Sequence, residues 1–376
     1  MPNKFYFDFR DVFRAGRMGF KGKKILVHLL GFLFGYGIYE ILTYLSLTGS
    51  DKIGKFWETY GLFPVFIRTW KSTMDLPIAT IVIMIVGALI WLIIYLLFST
   101  AVSKIAIEEL RGNEFYSAKK AIKFAFKYSK SIYLVILGLI GAILFCIFWS
   151  SLVGLLDLIP KIEQFAEHFA APLTTFLTIP IYILSIFMML TIIACVYGLF
   201  LIPSIVAVTE EDTFETLYQL YSTVWNQPWR LVIYSKLLWF VATLGFAIFA
   251  VISIAGLYLM FLPSVLLAHQ QSYYFADVMA RALKIIGAGG FAYLIPGANI
   301  TASIAMPWTL DLATFFLFMS FIVIVGIILA YPMAIYSCGY TIIYVITRKK
   351  TTNENMLEPD QEEITEGKTE EQKSDT

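Results

Sequence analysis

Apolar and polar residues fall in long blocks along this chain, not at the short period of a soluble helix or strand. Six blocks are predicted as membrane-spanning helices, at about 25–47, 78–102, 131–157, 178–207, 231–268 and 313–347. Each reaches the roughly 20 residues needed to cross a hydrocarbon core. The fifth is too long for one straight crossing, and Pro263 is placed to bend it. Pro180, Pro203 and Pro332 are placed to kink the fourth and sixth.

The polar blocks between the spans are not alike. Residues 5–24 form an amphipathic, Arg/Lys-rich segment, and residues 48–77 a mixed loop with aromatic edges at Trp57, Tyr60 and Trp70. Residues 158–176 are a polar connection, and 269–311 a Gly-rich loop with a candidate surface helix at Ala280–Lys284. From Thr351 the chain is Glu-rich and nearly free of apolar residues, which predicts a disordered tail over 351–376. The domain reading is therefore an N-terminal segment at 1–24, a membrane domain at 25–350 and that tail.

Two polar blocks carry helical order of their own. After the second span comes the turn Glu108-Glu109-Leu110-Arg111-Gly112-Asn113, then a short basic helix. At about 100° per residue, Lys119, Lys120, Lys123, Lys127 and Lys130 share one arc. Phe115, Ala118, Ala121, Ile122, Ala125 and Tyr128 lie mostly opposite. That is the pattern of a helix lying in a membrane interface, with lysines toward headgroups. After the fourth span, Asp212 and Glu215 have capping-box spacing. Leu217, Leu220, Tyr221 and Val224 then form an apolar stripe, and Trp229 and Arg230 stand where interface anchors belong.

Composition narrows the class further. Of 376 residues, 59% are hydrophobic and only 15% charged, which excludes an ordinary soluble domain. The fold class is an all-α polytopic bundle of about six spans. The charged residues ahead of the first span, and that span's length, do not fit a cleavable leader. Net charge is +1, but its distribution is sided. One side holds Lys4, Arg10, Arg14, Arg17, Lys21, Lys23 and Lys24, the five-lysine arc, Lys104, Arg111, Arg230 and Arg348 to Lys350. The other holds Lys52, Lys55, Arg68, Lys71, Lys161, Arg281 and Lys284. The positive-inside rule makes the first side cytoplasmic, with both termini on it, in a cell membrane.

The segments around the two turns share a plan: span, acidic turn, amphipathic helix, hinge, span. Ala106-Ile107-Glu108-Glu109 matches Val208-Thr209-Glu210-Glu211, and Tyr116-Ser117-Ala118 matches Phe214-Glu215-Thr216. This predicts an internal repeat with units at about 78–157 and 178–268. The stretch PSIVAVTEEDTFETLYQLYSTVWNQPWRLVIYSKLLWF resembles the helix–elbow–helix segment of the glycerophosphodiester phosphodiesterase membrane domain and related bacterial multi-pass proteins. IEELRGNEFYSAKKAIKFAFKY is similar to the other elbow of that group, and YSCGYTIIYVITRK to its last helix. The resemblance covers most of residues 78–348 and implies a membrane domain, not a catalytic site, because the soluble phosphodiesterase domain of some members has no counterpart here.

Chemistry is sparse in the pattern. Cys146, Cys195 and Cys338 stand singly inside apolar runs, and His28, His168 and His269 have no metal-type spacing. No cofactor, catalytic residue or nucleic-acid partner is expected. Two charges lie inside spans, Glu40 and Lys236. Such charges are costly there and mark candidate sites. Lys236 is placed to snorkel to the inner interface. Glu40, among Gly35, Tyr36, Gly37 and Tyr39, either lines a polar cavity or is a protonated or hydrogen-bonded structural residue. Three functions stand: a non-catalytic protein organising lipids, including anionic inner-leaflet headgroups, or partner membrane proteins; a transporter or permease; and a membrane-embedded lipid-modifying enzyme.

Overall fold

The computed structural model describes residues 5–48, 53–60, 62, 76–151, 172, 175–267, 271–285 and 308–358. Most of the expected connection at 158–176, residues 286–307 of the Gly-rich loop expected at 269–311, and residues 359–376 of the tail expected at 351–376 lie outside these residues. The described residues are helical almost throughout, with no strand among them: α1 Phe9–Val12, α2 Arg14–Gly19, α3 Gly22–Leu47, α4 Ile53–Tyr60, α5 Ile78–Leu110, α6 Ala118–Lys127, α7 Ser129–Ser151, α8 Thr178–Thr209, α9 Thr213–Asn226, α10 Pro228–Leu267, α11 Gln271–Ile285 and α12 Trp308–Thr352. Six of them, α3, α5, α7, α8, α10 and α12, are long and apolar enough to cross a membrane. The protein is an all-α polytopic helical bundle.

The helices run further than the apolar blocks alone suggest. At ~1.5 Å per residue, α5 spans about 50 Å and α12 about 68 Å. Both exceed a hydrocarbon core of about 30 Å. α5 carries on through Ser103–Leu110, which is polar on one side only, and stops at the turn where Gly112 takes φ +99°. A left-handed residue there lets the chain reverse, and only glycine does so without a Cβ clash. α10 passes through Pro263 and α12 through Pro332 without a helix break.

The chain divides into two compact units. The first holds residues 1–15, 99–238 and 337–376. In it the C-terminal parts of α5, α8 and α12 run parallel, because their contacts advance together. Ser99 Oγ lies 2.9 Å from Ser337 Oγ, Ser103 Oγ 3.5 Å from Ser204 Oγ, and Thr341 Oγ1 3.3 Å from Ser204 Oγ. These hydroxyls are buried, beside Val102, Ala106, Ile107, Ile202, Ile205, Ile342 and Val345. Small hydroxyl residues let apolar helices approach closely and bond across the gap. α7 packs on α8, and α9 lies against both.

The second unit holds residues 16–98 and 239–336. Trp91 of α5 is ringed by Phe32, Tyr36 and Tyr39 of α3 at centroid distances of 5.7, 5.9 and 5.8 Å. Gly31 and Gly35 make that approach possible: a Cβ on Gly31 would meet the Phe98 ring at 2.5 Å, and one on Gly35 would meet Trp91. The loop expected at 48–77 contains α4, whose Phe56 is buried with Leu47 and Met84. The candidate surface helix at Ala280–Lys284 belongs to the longer α11. Its Ala282 is fully buried against Phe318 and Phe321, while Arg281 approaches Asp311 at 3.8 Å.

Candidate functional site

Three parallel helix ends define one end of the first unit, and each finishes on a residue with positive φ. Gly112 follows α5, Glu210 follows α8 (φ 59°) and Asn353 follows α12 (φ 63°). Charged side chains gather at these ends. Lys104, six residues before the end of α5, is only 4% exposed. Its Nζ lies 2.9 Å from Glu108 Oε1 of its own helix and 2.5 Å from Glu210 Oε1 at the end of α8, with the Phe124 ring of α6 5.0 Å away. A buried ammonium is tolerable only with such partners. Glu108 and Glu210 are also the two positions that match between the two turns of the chain.

A second linkage runs beside the first. Arg348 at the end of α12 donates from Nη1 to Gln219 Oε1 of α9 at 2.6 Å and pairs through Nε with Glu354 at 2.9 Å. Gln219 in turn donates to Glu215, whose backbone N–H is capped by Asp212 Oδ1 at 3.1 Å. The expected helix start at Asp212 is thus the observed one. Arg111, in the turn after α5, donates from Nε to the Met356 carbonyl at 3.2 Å, and its Nη1 lies 3.7 Å from Glu108. Residues 353–358 are therefore tied to the turn that leads into α6. Tyr116, in that turn, has its phenol pushed up by burial; the nearby Lys104 charge acts against this shift, and Glu108 and Glu210 add to it.

The sequence-predicted lysines all belong to this unit. Lys119, Lys120, Lys123, Lys127 and Lys130 are exposed, and none makes an ion pair among the described residues. On the opposite side of α6, Ala121 and Ala125 are buried and Ile122 and Tyr128 half-buried. Phe115 precedes the helix and is 92% exposed. In α9 the packed face is Thr216, Gln219, Leu220, Thr223 and Val224, while Leu217 and Tyr221 of the expected stripe are half-buried. The reason is the neighbour: Tyr221 donates to Thr191 at 3.0 Å and Gln219 receives Arg348, so polar partners turn the helix. Large rings are left outward, with Phe214, Tyr218, Trp225 and Trp229 all well exposed.

The chain was compared with protein-family models, curated proteins and solved structures. It matches none of them.

The two charges inside spans separate. Lys236 is exposed on α10 of the first unit, among exposed Val232, Ile233, Trp239 and Phe240. Glu40 belongs to the second unit and is 5% exposed, and neither of its carboxylate oxygens has a hydrogen-bond partner among the described residues. A small apolar cavity in that unit is lined by His28, Phe32, Trp91, Tyr95 and Met333, not by Glu40. His28 stacks on Tyr95 with centroids 6.1 Å apart. Among the described residues no three His, Cys, Asp or Glu side chains converge as metal ligands. Sequence reasoning placed Lys104 only among the topogenic charges; its i, i+4 spacing to Glu108 was visible, but Glu210 is 106 residues away.

Proposed function

We propose that the protein is a non-catalytic integral membrane protein of the cell membrane that gathers anionic inner-leaflet headgroups on its elbow helices, with both termini cytoplasmic. The observation that carries this reading is the lysine face of α6, Lys119, Lys120, Lys123 and Lys127, continued by Lys130 in the first turn of α7. It is exposed, free of carboxylate partners among the described residues, and backed by buried Ala121 and Ala125. Each basic residue near an anionic surface contributes about 1 kcal/mol. The outward rings of Phe115, Phe214, Trp225 and Trp229 suit the headgroup level, where one side of a ring is apolar and the other wet. The shared plan of α5–α6–α7 and α8–α9–α10 supports an internal repeat. A partner membrane protein with an acidic juxtamembrane segment would use the same lysines.

Lipid retention on purified protein tests this. Lys119, Lys120, Lys123 and Lys127 are changed to Gln, leaving Lys130 and the other charges to hold topology. Retained anionic lipid is expected to fall in the variant, and in the wild type to fall as salt rises. Equal retention by both proteins at low and high salt would reduce the lysines to a topology signal.

A second reading has its own observation. Glu40 is a buried carboxyl inside a span with no hydrogen-bond partner among the described residues, a feature that ion-coupled transporters use. Uptake assays on Glu40→Gln against wild type separate it from the first.

A further inference from the structure

We infer that the acidic segment 359–376 docks on the lysine face of α6 and competes there with anionic headgroups, so that the chain carries its own electrostatic inhibitor. This inference rests on the headgroup reading of that face. Three observations on the molecule lead to it.

The first is charge. Residues 359–376 hold Asp360, Glu362, Glu363, Glu366, Glu370, Glu371 and Asp375 against Lys368 and Lys373, a net charge of −5. α6 offers Lys119, Lys120, Lys123 and Lys127, with Lys130 at the start of α7, all exposed and without a carboxylate among the described residues. Elsewhere in the first unit the buried Lys104 meets the carboxylates of Glu108 and Glu210.

The second is the anchor. The chain does not leave α12 freely. Asn353 turns it at φ 63°, Lys349 Nζ donates to the Asn353 carbonyl at 2.7 Å, and Arg348 holds Glu354. Arg111 then holds the Met356 carbonyl, and Glu358 N–H donates to the Asn355 carbonyl at 3.1 Å. The acidic segment therefore departs from a point fixed to the turn that opens α6.

The third is reach. Arg111 and Lys119 are eight residues apart, so at ~3.5 Å per residue their Cα atoms are at most about 28 Å apart. The 18 residues from Pro359 can extend about 60 Å by the same measure. A tethered ligand so near its site acts at an effective concentration of order mM. Lipid headgroups compete because they are denser still at the membrane surface. The acidic segment would then matter most where the surrounding lipid is poor in anions, and be displaced where it is rich.

Zero-length cross-linking tests this on the full chain. The protein is placed in nanodiscs of phosphatidylcholine, with or without phosphatidylglycerol, as an equal mixture of natural and 15N-labelled copies. A carbodiimide joins carboxylates to amines in contact, and mass spectrometry reads the peptides. Cross-links from residues 360–371 to Lys119, Lys120, Lys123 or Lys127 are expected within single copies in phosphatidylcholine. They are expected to disappear at high salt and with phosphatidylglycerol. Absence of these cross-links, cross-links only between copies, or cross-links indifferent to phosphatidylglycerol would overturn the inference. Anionic-lipid retention is measured alongside on the chain cut after Glu358, with the lysines intact or changed to Gln. Removing the segment is expected to raise retention several-fold with the lysines intact and to change nothing with Gln. Retention that depends on the lysines but ignores the segment sinks this inference alone. Cross-links without lysine-dependent retention sink the headgroup reading, and with it the competition.

Discussion

At the scale of single residues, Glu210 does two jobs that oppose each other. Its carboxylate meets the buried Lys104, and its backbone holds the left-handed conformation that ends α8. A residue with a Cβ pays about 1 kcal/mol in that conformation, and glycine does not. Replacing Glu210 with Ala or with Gly removes the carboxylate equally, so the difference between the two variants isolates the backbone. Glu210→Gly is expected to be more stable than Glu210→Ala by about 1 kcal/mol, measured by chemical unfolding in detergent. Equal stabilities would mean that the end of α8 rearranges once the ion pair is lost. None of this could be read from the residues in order. Glu210 looked like one of several acids in a turn, and nothing local distinguishes it from Glu211. The lysines of α6 were legible because helical spacing alone puts them on one face. Glu40 and Lys236 were legible for a similar reason, since a charge inside an apolar run stands out whatever surrounds it.

Between helices, packing depends on small residues whose partners are distant in sequence. Gly339 of α12 faces Leu238 of α10 so closely that a Cβ would lie 2.9 Å from Leu238 Cγ and nearer still to its methyls. Leu238 is fully buried and has little room to move aside. Gly339→Ala is therefore expected to destabilise by about 1–3 kcal/mol, the usual range for overpacking. Trimming Leu238 to Ala in the same chain should recover part of that loss, and a double-mutant cycle measures the coupling. Additive effects would show that the two sites are independent. The six long helices were visible because runs of apolar residues suffice to place them. Their faces were not. α9 illustrates why: its apolar stripe predicted Leu217 and Tyr221 inward, but the packed face includes Gln219, which is drawn in by Arg348 of another helix. α4 was missed because its apolar and polar residues do alternate at helical spacing, but eight residues are too short a run to stand out from a loop.

For the molecule as a whole, residues 351–358 tie the end of α12 to the rest of the first unit. Glu354 pairs with Arg348 and the Met356 carbonyl accepts from Arg111, and both lie beyond the last basic residues of α12. A chain ending at Glu358 is expected to unfold at the same denaturant concentration as the full chain. A chain ending at Lys350 should lose about 1–2 kcal/mol, since it gives up the partly solvated Arg348–Glu354 pair and the charged hydrogen bonds from Arg111 and Lys349. An identical midpoint for both truncations would show that residues 351–358 are passengers.

The parallel ends of α5, α8 and α12 also set a clock on biosynthesis. Ser99 and Ser103 meet partners 238 and 234 residues later in the chain. Ser204 of α8 meets Thr341 of α12, 137 residues later. At about 5–20 residues per second, that wait is on the order of 7–27 s after the fourth long helix is made. Through it α5 and α8 sit in the membrane with hydroxyls that have not met their last neighbour. A nascent chain stalled before α12 would leave Ser99, Ser103 and Ser204 without those neighbours, so the last of the six long helices closes the hydroxyl contacts that the earlier ones leave open.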